Sequence, residues 1–187
     1  MSRIDIEEYP TVKRYLDSYI KKLIKRSDKG DTPYNLRNCA FLNDFSKPKI
    51  IFPNMTKYLP FYFDNKQFFT NQKCFIVSGK HLSYLTAFLN SSLFKFCFMD
   101  DFPTLGEDRR ELSKIYFNKI PVRIVSDQVD RDFNKLVLDI QDVYTEEKAK
   151  EIDRLIFDIY ELSQSERDRI GFIDFHNVID EEDDEED

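Results

Sequence analysis

Lysine and arginine recur along the first part of the chain among residues suited to polyanions. Lys13, Arg14, Lys21, Lys22, Lys25, Arg26, Lys29 and Arg37 come first, and Lys47, Lys49, Lys57 and Lys66 follow, interleaved with Tyr58 and Tyr62. Such cations neutralise phosphates, and affinity gained that way falls as salt rises. Asn54, Thr56, Asn65, Gln67, Asn71 and Gln72 lie in the loops between them. Asparagine and glutamine, like arginine, can match the donors and acceptors of a base edge. Plain solvation of a surface helix accounts equally well for the first group of charges.

Residue sets that make or break bonds are not found. The chain has no GxGxxG after a strand and no GxxxxGKS/T, and its four glycines are few for a phosphate-cradling loop. His81 and His176 stand alone, and Cys39, Cys74 and Cys97 lack the spacing of metal ligands. There is no nucleophile elbow for serine catalysis. Asp100-Asp101 and Glu107-Asp108 are adjacent carboxylates that read as loop solvation.

Positioning these side chains requires a core, and 187 residues suffice for one. Spacings of three and four over Val12, Tyr15, Leu16, Tyr19, Ile20, Leu23 and Ile24 predict an amphipathic helix from Pro10 to about Ser27. Asp28-Lys29-Gly30-Asp31 should end it. Prolines at 33, 48, 53 and 60 then exclude a long helix. Candidate strands are Tyr34–Arg37, Lys49–Phe52, Phe61–Phe63, Phe68–Thr70 and Cys74–Val77, separated by turn residues. From His81 to about Met99 the sequence is apolar nearly all round, as in a buried helix. Its polar interruption, Asn90-Ser91-Ser92, should bond to neighbouring backbone. After the loop 100–111 come a short helix near 112–118 and an extended segment, Ile120–Ile124, expected to end on the sheet. Helices over 126–144 and 146–162 should form an antiparallel hairpin. Ser163 and Glu166 then open a last short helix with a capping box, running to about Ile173.

The expected fold is therefore α+β: a twisted, mostly antiparallel sheet or half-barrel, a buried central helix, an N-terminal amphipathic helix and a C-terminal helical hairpin. Residues 1–125 would form the recognition domain and 126–173 a helical region packed on it. Residues 174–187 would be an acidic, disordered tail. The net charge of −7 is unevenly spread. Residues 1–80 hold 15 Lys and Arg against 8 Asp and Glu, whereas every residue from Asp180 to Asp187 is acidic. The separated cysteines suit a reduced, cytoplasmic protein. No signal-peptide pattern opens the sequence, and no apolar run is long enough for a membrane span.

Several segments, taken in order, carry a family likeness. The basic helix leads to Asp28-Lys29-Gly30 and Pro33-Tyr34-Asn35-Leu36-Arg37, then to Lys47-Pro48-Lys49-Ile50 with Pro53 close behind. Lys73-Cys74-Phe75-Ile76-Val77 precedes Leu82-Ser83-Tyr84-Leu85 and Leu89-Asn90-Ser91. Pro103-Thr104-Leu105-Gly106 precedes Leu112-Ser113-Lys114 and Lys119-Ile120-Pro121-Val122, and Glu151-Ile152-Asp153 and Tyr160-Glu161-Leu162 close the series. Over residues 10–173 this order resembles the TaqI-like C-terminal specificity domain, the target-recognition part of adenine-specific DNA methyltransferases and type IIG restriction-modification enzymes.

The resemblance implies a module that binds double-stranded DNA and reads its sequence for a methyltransferase or nuclease domain or subunit. It implies no catalytic residue, metal or cofactor in this chain. S-adenosylmethionine and Mg would belong to the catalytic part, whose Asn-Pro-Pro-Tyr-type motif does not occur here. Phosphate contacts are expected from Lys21, Lys22, Lys25, Arg26 and Lys29. Base or groove contacts are expected from Arg37, Asn54, Lys57, Tyr58, Arg109 and Arg110. Two other readings stand beside this one: a protein-interaction module that docks a catalytic subunit, and a fragment of an enzyme with its own activity.

Overall fold

The computed structural model describes residues 5–36, 41–104, 106 and 109–173, divided into two units at Ser46/Lys47. Its class is α+β.

In the first unit the expected long helix is two short ones, α1 (Pro10–Asp17) and α2 (Ile20–Lys25). Pro10 takes the first helical position, where its missing N–H costs nothing. The break has a local cause. The Ser18 hydroxyl donates to the Tyr15 carbonyl at 2.6 Å, and Tyr19 leaves helical geometry. After Lys25 the chain turns extended at Arg26 and folds back. The amide of Gly30 donates to the Asn35 carbonyl, and Lys29 and Leu36 form an isolated bridge. A Cβ on Gly30 would lie 2.5 Å from the Leu36 carbonyl oxygen, so only glycine permits this approach. The strand expected from Tyr34 is thus a turn up to Leu36, while Arg37 lies outside the described residues.

The second unit is organised by β1 (Lys49–Pro53). It pairs antiparallel with β3 (Tyr62–Asp64) on one side and with β4 (Cys74–Val77) on the other. A separate ribbon joins β2 (Met55–Thr56) to β5 (Arg110–Glu111). Both sheets are small, antiparallel and not closed. Phe68–Thr70 is not a strand. The Asp64 carboxylate accepts the Lys66 and Phe68 amides at 2.7 and 2.9 Å, winding that segment into a turn.

The buried central helix is present but divided into α3 (Leu82–Leu89) and α4 (Ser92–Phe98). Ser91 begins the second helix, its hydroxyl accepting the Phe94 amide and donating to the Phe88 carbonyl. α3 is buried along most of its length. α4 buries Ser92, Leu93 and Phe94 but exposes Lys95, Phe96 and Cys97, which corrects the expectation that the whole apolar run is buried.

Asn90 grips the chain beside β3. Its amide nitrogen donates to the Phe61 and Thr86 carbonyls, and its oxygen accepts the Phe61 amide. Gln141 treats Phe63 in the same way, at 2.8 and 3.0 Å. Two side-chain amides therefore satisfy backbone groups along β3 that its pairing with β1 leaves unused. Asn90→Ala is expected to cost about 1–3 kcal/mol, because the Phe61 peptide groups lose their partners in a half-buried place. Urea unfolding measures it, and a loss below about 0.5 kcal/mol would show that water substitutes freely.

α5 (Lys114–Phe117), α6 (Asp127–Asp142), α7 (Glu146–Ile159) and α8 (Gln164–Ile170) complete the unit. The last opens on the expected capping box, Ser163 with Glu166, but ends three residues short of Ile173, where Gly171 has a positive φ of 67°. Phe133 and Val137 of α6, with Ile152, Ile156 and Phe157 of α7, face the core. Ile120–Ile124 does not reach the sheet. The Tyr160 hydroxyl holds the Pro121 carbonyl and the Arg123 amide, and Ile124 is 95% exposed.

Asp153 of α7 is buried, and its carboxylate accepts the Ser92 amide at 2.8 Å and the Ser92 hydroxyl. Burial raises its pKa, the two Ser92 bonds opposing the shift. An unfolded aspartate ionises near pH ~4. The folded chain holds this proton more tightly, so the stabilising contribution is full below about pH 4 and is lost as pH rises through the folded value. The stability of the wild-type chain relative to Asp153→Asn is therefore expected to fall as pH rises above about 4, by about 1.4 kcal/mol per unit of difference between the two pKa values. Paired urea titrations across that range check it, and a pH-independent difference would contradict it.

Candidate nucleic-acid interface

The β2–β5 ribbon is held up by aromatic packing. Phe52 of β1 meets Phe61 and Phe117 at 5.2 Å, and Phe117 meets Phe102 at 5.0 Å, rings in the tilted arrangements that suit their quadrupoles. Leu112, directly after β5, is fully buried, and its amide donates to the Asn54 carbonyl at 2.9 Å. One end of the ribbon is therefore fixed to the core while Met55 and Glu111 are exposed.

This ribbon gathers most of the base-contact candidates. Thr56 lies opposite Arg110, and Met55 opposite Glu111. Asn54 precedes β2; Lys57 and Tyr58 follow it; Arg109 precedes β5. Residues some fifty apart in sequence thus share a two-stranded element, the kind of element that a major groove admits. Lys57 is exposed and makes no ion pair or hydrogen bond among the described residues. Tyr58 is half-buried, its backbone turned by the Thr56 hydroxyl, which both accepts from its amide and donates to its carbonyl. Arg109 is exposed. Arg110 is engaged: its guanidinium donates to Asp100 and the Thr104 hydroxyl, both at 2.7 Å, and to the Phe102 carbonyl. It braces the 100–104 loop against β5. Arg37 lies outside the described residues.

The phosphate candidates belong to the first unit. Lys21, Lys22 and Lys25 are exposed on α2, spaced so that 21 and 25, and 22 and 25, are neighbours on the helix surface. They make no ion pair among the described residues. Arg26 and Lys29 instead serve the turn: Arg26 donates to the Asn35 carbonyl, and Lys29 to the Ile24 carbonyl at 2.8 Å. Lys49, counted among the basic residues in the sequence, is fully buried against Asp64 and presents no charge to a ligand.

A match to a family model now joins this geometry: the TaqI-like C-terminal specificity domain, over residues 3–122. The chain belongs to this family. The match spans both units and both strands of the ribbon, and ends before α6, so the likeness read in Glu151–Asp153 and Tyr160–Leu162 lies outside it. No curated protein matches the chain. As a TaqI-like specificity domain it falls among parts of restriction-modification enzymes concerned with DNA target recognition.

Two family marks acquire a structural meaning here. Gly30 and the Pro33–Leu36 segment form one closed turn, and Thr104 is held by Arg110. Among the described residues, no three His, Cys, Asp or Glu side chains are placed to hold a metal ion, and no helix is long and apolar enough to cross a membrane. The specificity domain also carries a cation that the sequence reading passed over. Lys95 is exposed on α4 and lines a groove with Lys57 and Arg110. Its signal was available: it is the lone charge in the apolar run Ser92–Phe98.

Proposed function

We propose that the chain recognises a specific sequence in double-stranded DNA for a restriction-modification system. Methylation of adenine, with cleavage in the type IIG arrangement, would fall to a separate methyltransferase or nuclease domain or subunit. S-adenosylmethionine and Mg would serve that part. The observation that carries the reading is the β2–β5 ribbon, which Asn54, Lys57, Tyr58 and Arg109 flank within the span of the family match. Phosphate contacts from Lys21, Lys22 and Lys25 would set the register, and the ribbon would read bases. The first unit also exposes Tyr9, Val12, Tyr15 and Tyr19, large apolar side chains of the kind that a partner domain would cover.

Selection from a pool of random duplexes tests the proposal. An enriched motif is expected, bound with a strong inverse dependence on salt. Lys57→Ala or Arg109→Ala should flatten the preference at one or two positions by about 1–3 kcal/mol each. Absence of binding to every duplex at low salt, with the chain folded, would overturn the reading.

A further inference from the structure

A groove of about 670 Å³ runs beside the ribbon. Lys57 and Arg110 of the ribbon region line one side, Lys95 and Phe96 of α4 another, and Phe172 and Ile173 a third. Arg169 stacks over the Phe96 ring at 5.9 Å and brings a further cation to the rim. Asp100 also lines the groove but is engaged with Arg110. Lys57 and Lys95 have no partner among the described residues, so the groove carries uncompensated positive charge.

The last described residues are fixed at its edge. The Phe172 ring stacks on Phe157 at 6.0 Å, beneath the side chains of Lys150 and Arg154. The Ile173 amide donates to the Ser92 hydroxyl at 2.9 Å. Seven residues later the sequence becomes wholly acidic, from Asp180 to Asp187. A chain of seven residues spans at most about 25 Å when extended. The acidic run is therefore tethered within reach of a basic groove from an anchor in the groove wall.

We infer that residues 180–187 occupy the Lys57–Lys95 groove in cis and compete there with a polyanion. The contact is intramolecular charge pairing, and its consequence for DNA rests on the function proposed above. With a tether of this length the acidic run acts at about millimolar effective concentration, so a dissociation constant of about 0.1 mM would lower apparent duplex affinity about tenfold. The pairing is between exposed charges, so salt should weaken it.

Two measurements on the full chain test this. Carbodiimide coupling followed by peptide mapping should join Lys57 or Lys95 to residues 180–187 at low salt, with the yield falling at high salt. Coupling absent, or spread evenly over surface lysines elsewhere, would overturn the inference. The second measurement is duplex affinity in a chain with the eight acids changed to their amides, Asp180→Asn and Glu181→Gln through Asp187→Asn. Affinity should rise about tenfold, and that gain should vanish in a Lys57→Gln/Lys95→Gln background. An equal gain in both backgrounds would reveal only the change in net charge and overturn the groove contact. Groove-specific coupling in a chain that binds no duplex would uphold the contact and sink the DNA reading. Duplex binding unaffected by the amides, without coupling, would do the reverse.

Discussion

Asp64→Asn is expected to destabilise the second unit by about 3–5 kcal/mol, because it strands a buried lysine charge. Lys49 and Asp64 stand directly opposite each other in β1 and β3, and both side chains are 0% exposed. Bringing two charges out of water is costly. Their mutual attraction offsets that cost only while the remaining acceptor sites are filled. Here they are filled by the Lys66 and Phe68 amides, which Asp64 holds at the turn after β3. The same carboxylate thus sets the strand register and ends the strand. Asn has one acceptor oxygen where the carboxylate uses two, so it keeps at most one of those amides, and the loss reports on both the stranded charge and one turn bond. Lys49→Met combined with Asp64→Asn should therefore be more stable than Asp64→Asn alone. Urea unfolding of wild type, Lys49→Met, Asp64→Asn and the double mutant, compared as a double-mutant cycle, measures the coupling. A single mutant within about 1 kcal/mol of wild type would mean that the pair is incidental to the register. The effect should reach the interface, because β1 leads through Pro53 and Asn54 directly into the ribbon.

The largest effect on binding is expected from Lys21→Ala, Lys22→Ala and Lys25→Ala together. If each contacts a phosphate, the slope of log affinity against log salt should fall by about 2.7. Near 0.1 M salt that corresponds to a loss on the order of a hundredfold or more, nearly uniform over DNA sequences. The fold should not suffer: all three are exposed, and alanine is the best helix former. Arg26 and Lys29 are left out because they hold the turn that closes on Asn35 and Leu36, and changing them would confuse binding with structure. Fluorescence anisotropy across a salt series gives the slope. An unchanged slope would falsify the assignment of α2 as the phosphate-contacting surface while leaving the ribbon open to its own test.

How far the sequence could be read depended on the range of the interaction involved. The capping box at Ser163, the strand Cys74–Val77 and the helices α6 and α7 follow from signals within a few residues. Those elements lie close to where the pattern put them. Breaks within helices were harder to see. Ser18 and Ser91 each divert a hydroxyl to a backbone carbonyl, and the apolar spacing runs straight through both sites. The β5 strand was out of reach, since a two-residue strand has no period to detect and its partner lies more than fifty residues away.

Charge showed the same limit. All cations look alike in a sequence, but folding gave them different work. Lys49 is buried against Asp64, Arg110 braces a loop, Arg26 and Lys29 close a turn, and Lys57 and Lys95 border an open groove. The sequence by itself determined the α+β class, the family, the basic helix and the acidic run, because composition, periodicity and ordered short motifs are properties of the chain alone. Only the tertiary structure decided which cations remain available to a ligand, and that Asn54, Lys57, Tyr58 and Arg109 flank one ribbon. Availability depends on burial and partners, and both are set by contacts between residues distant in sequence.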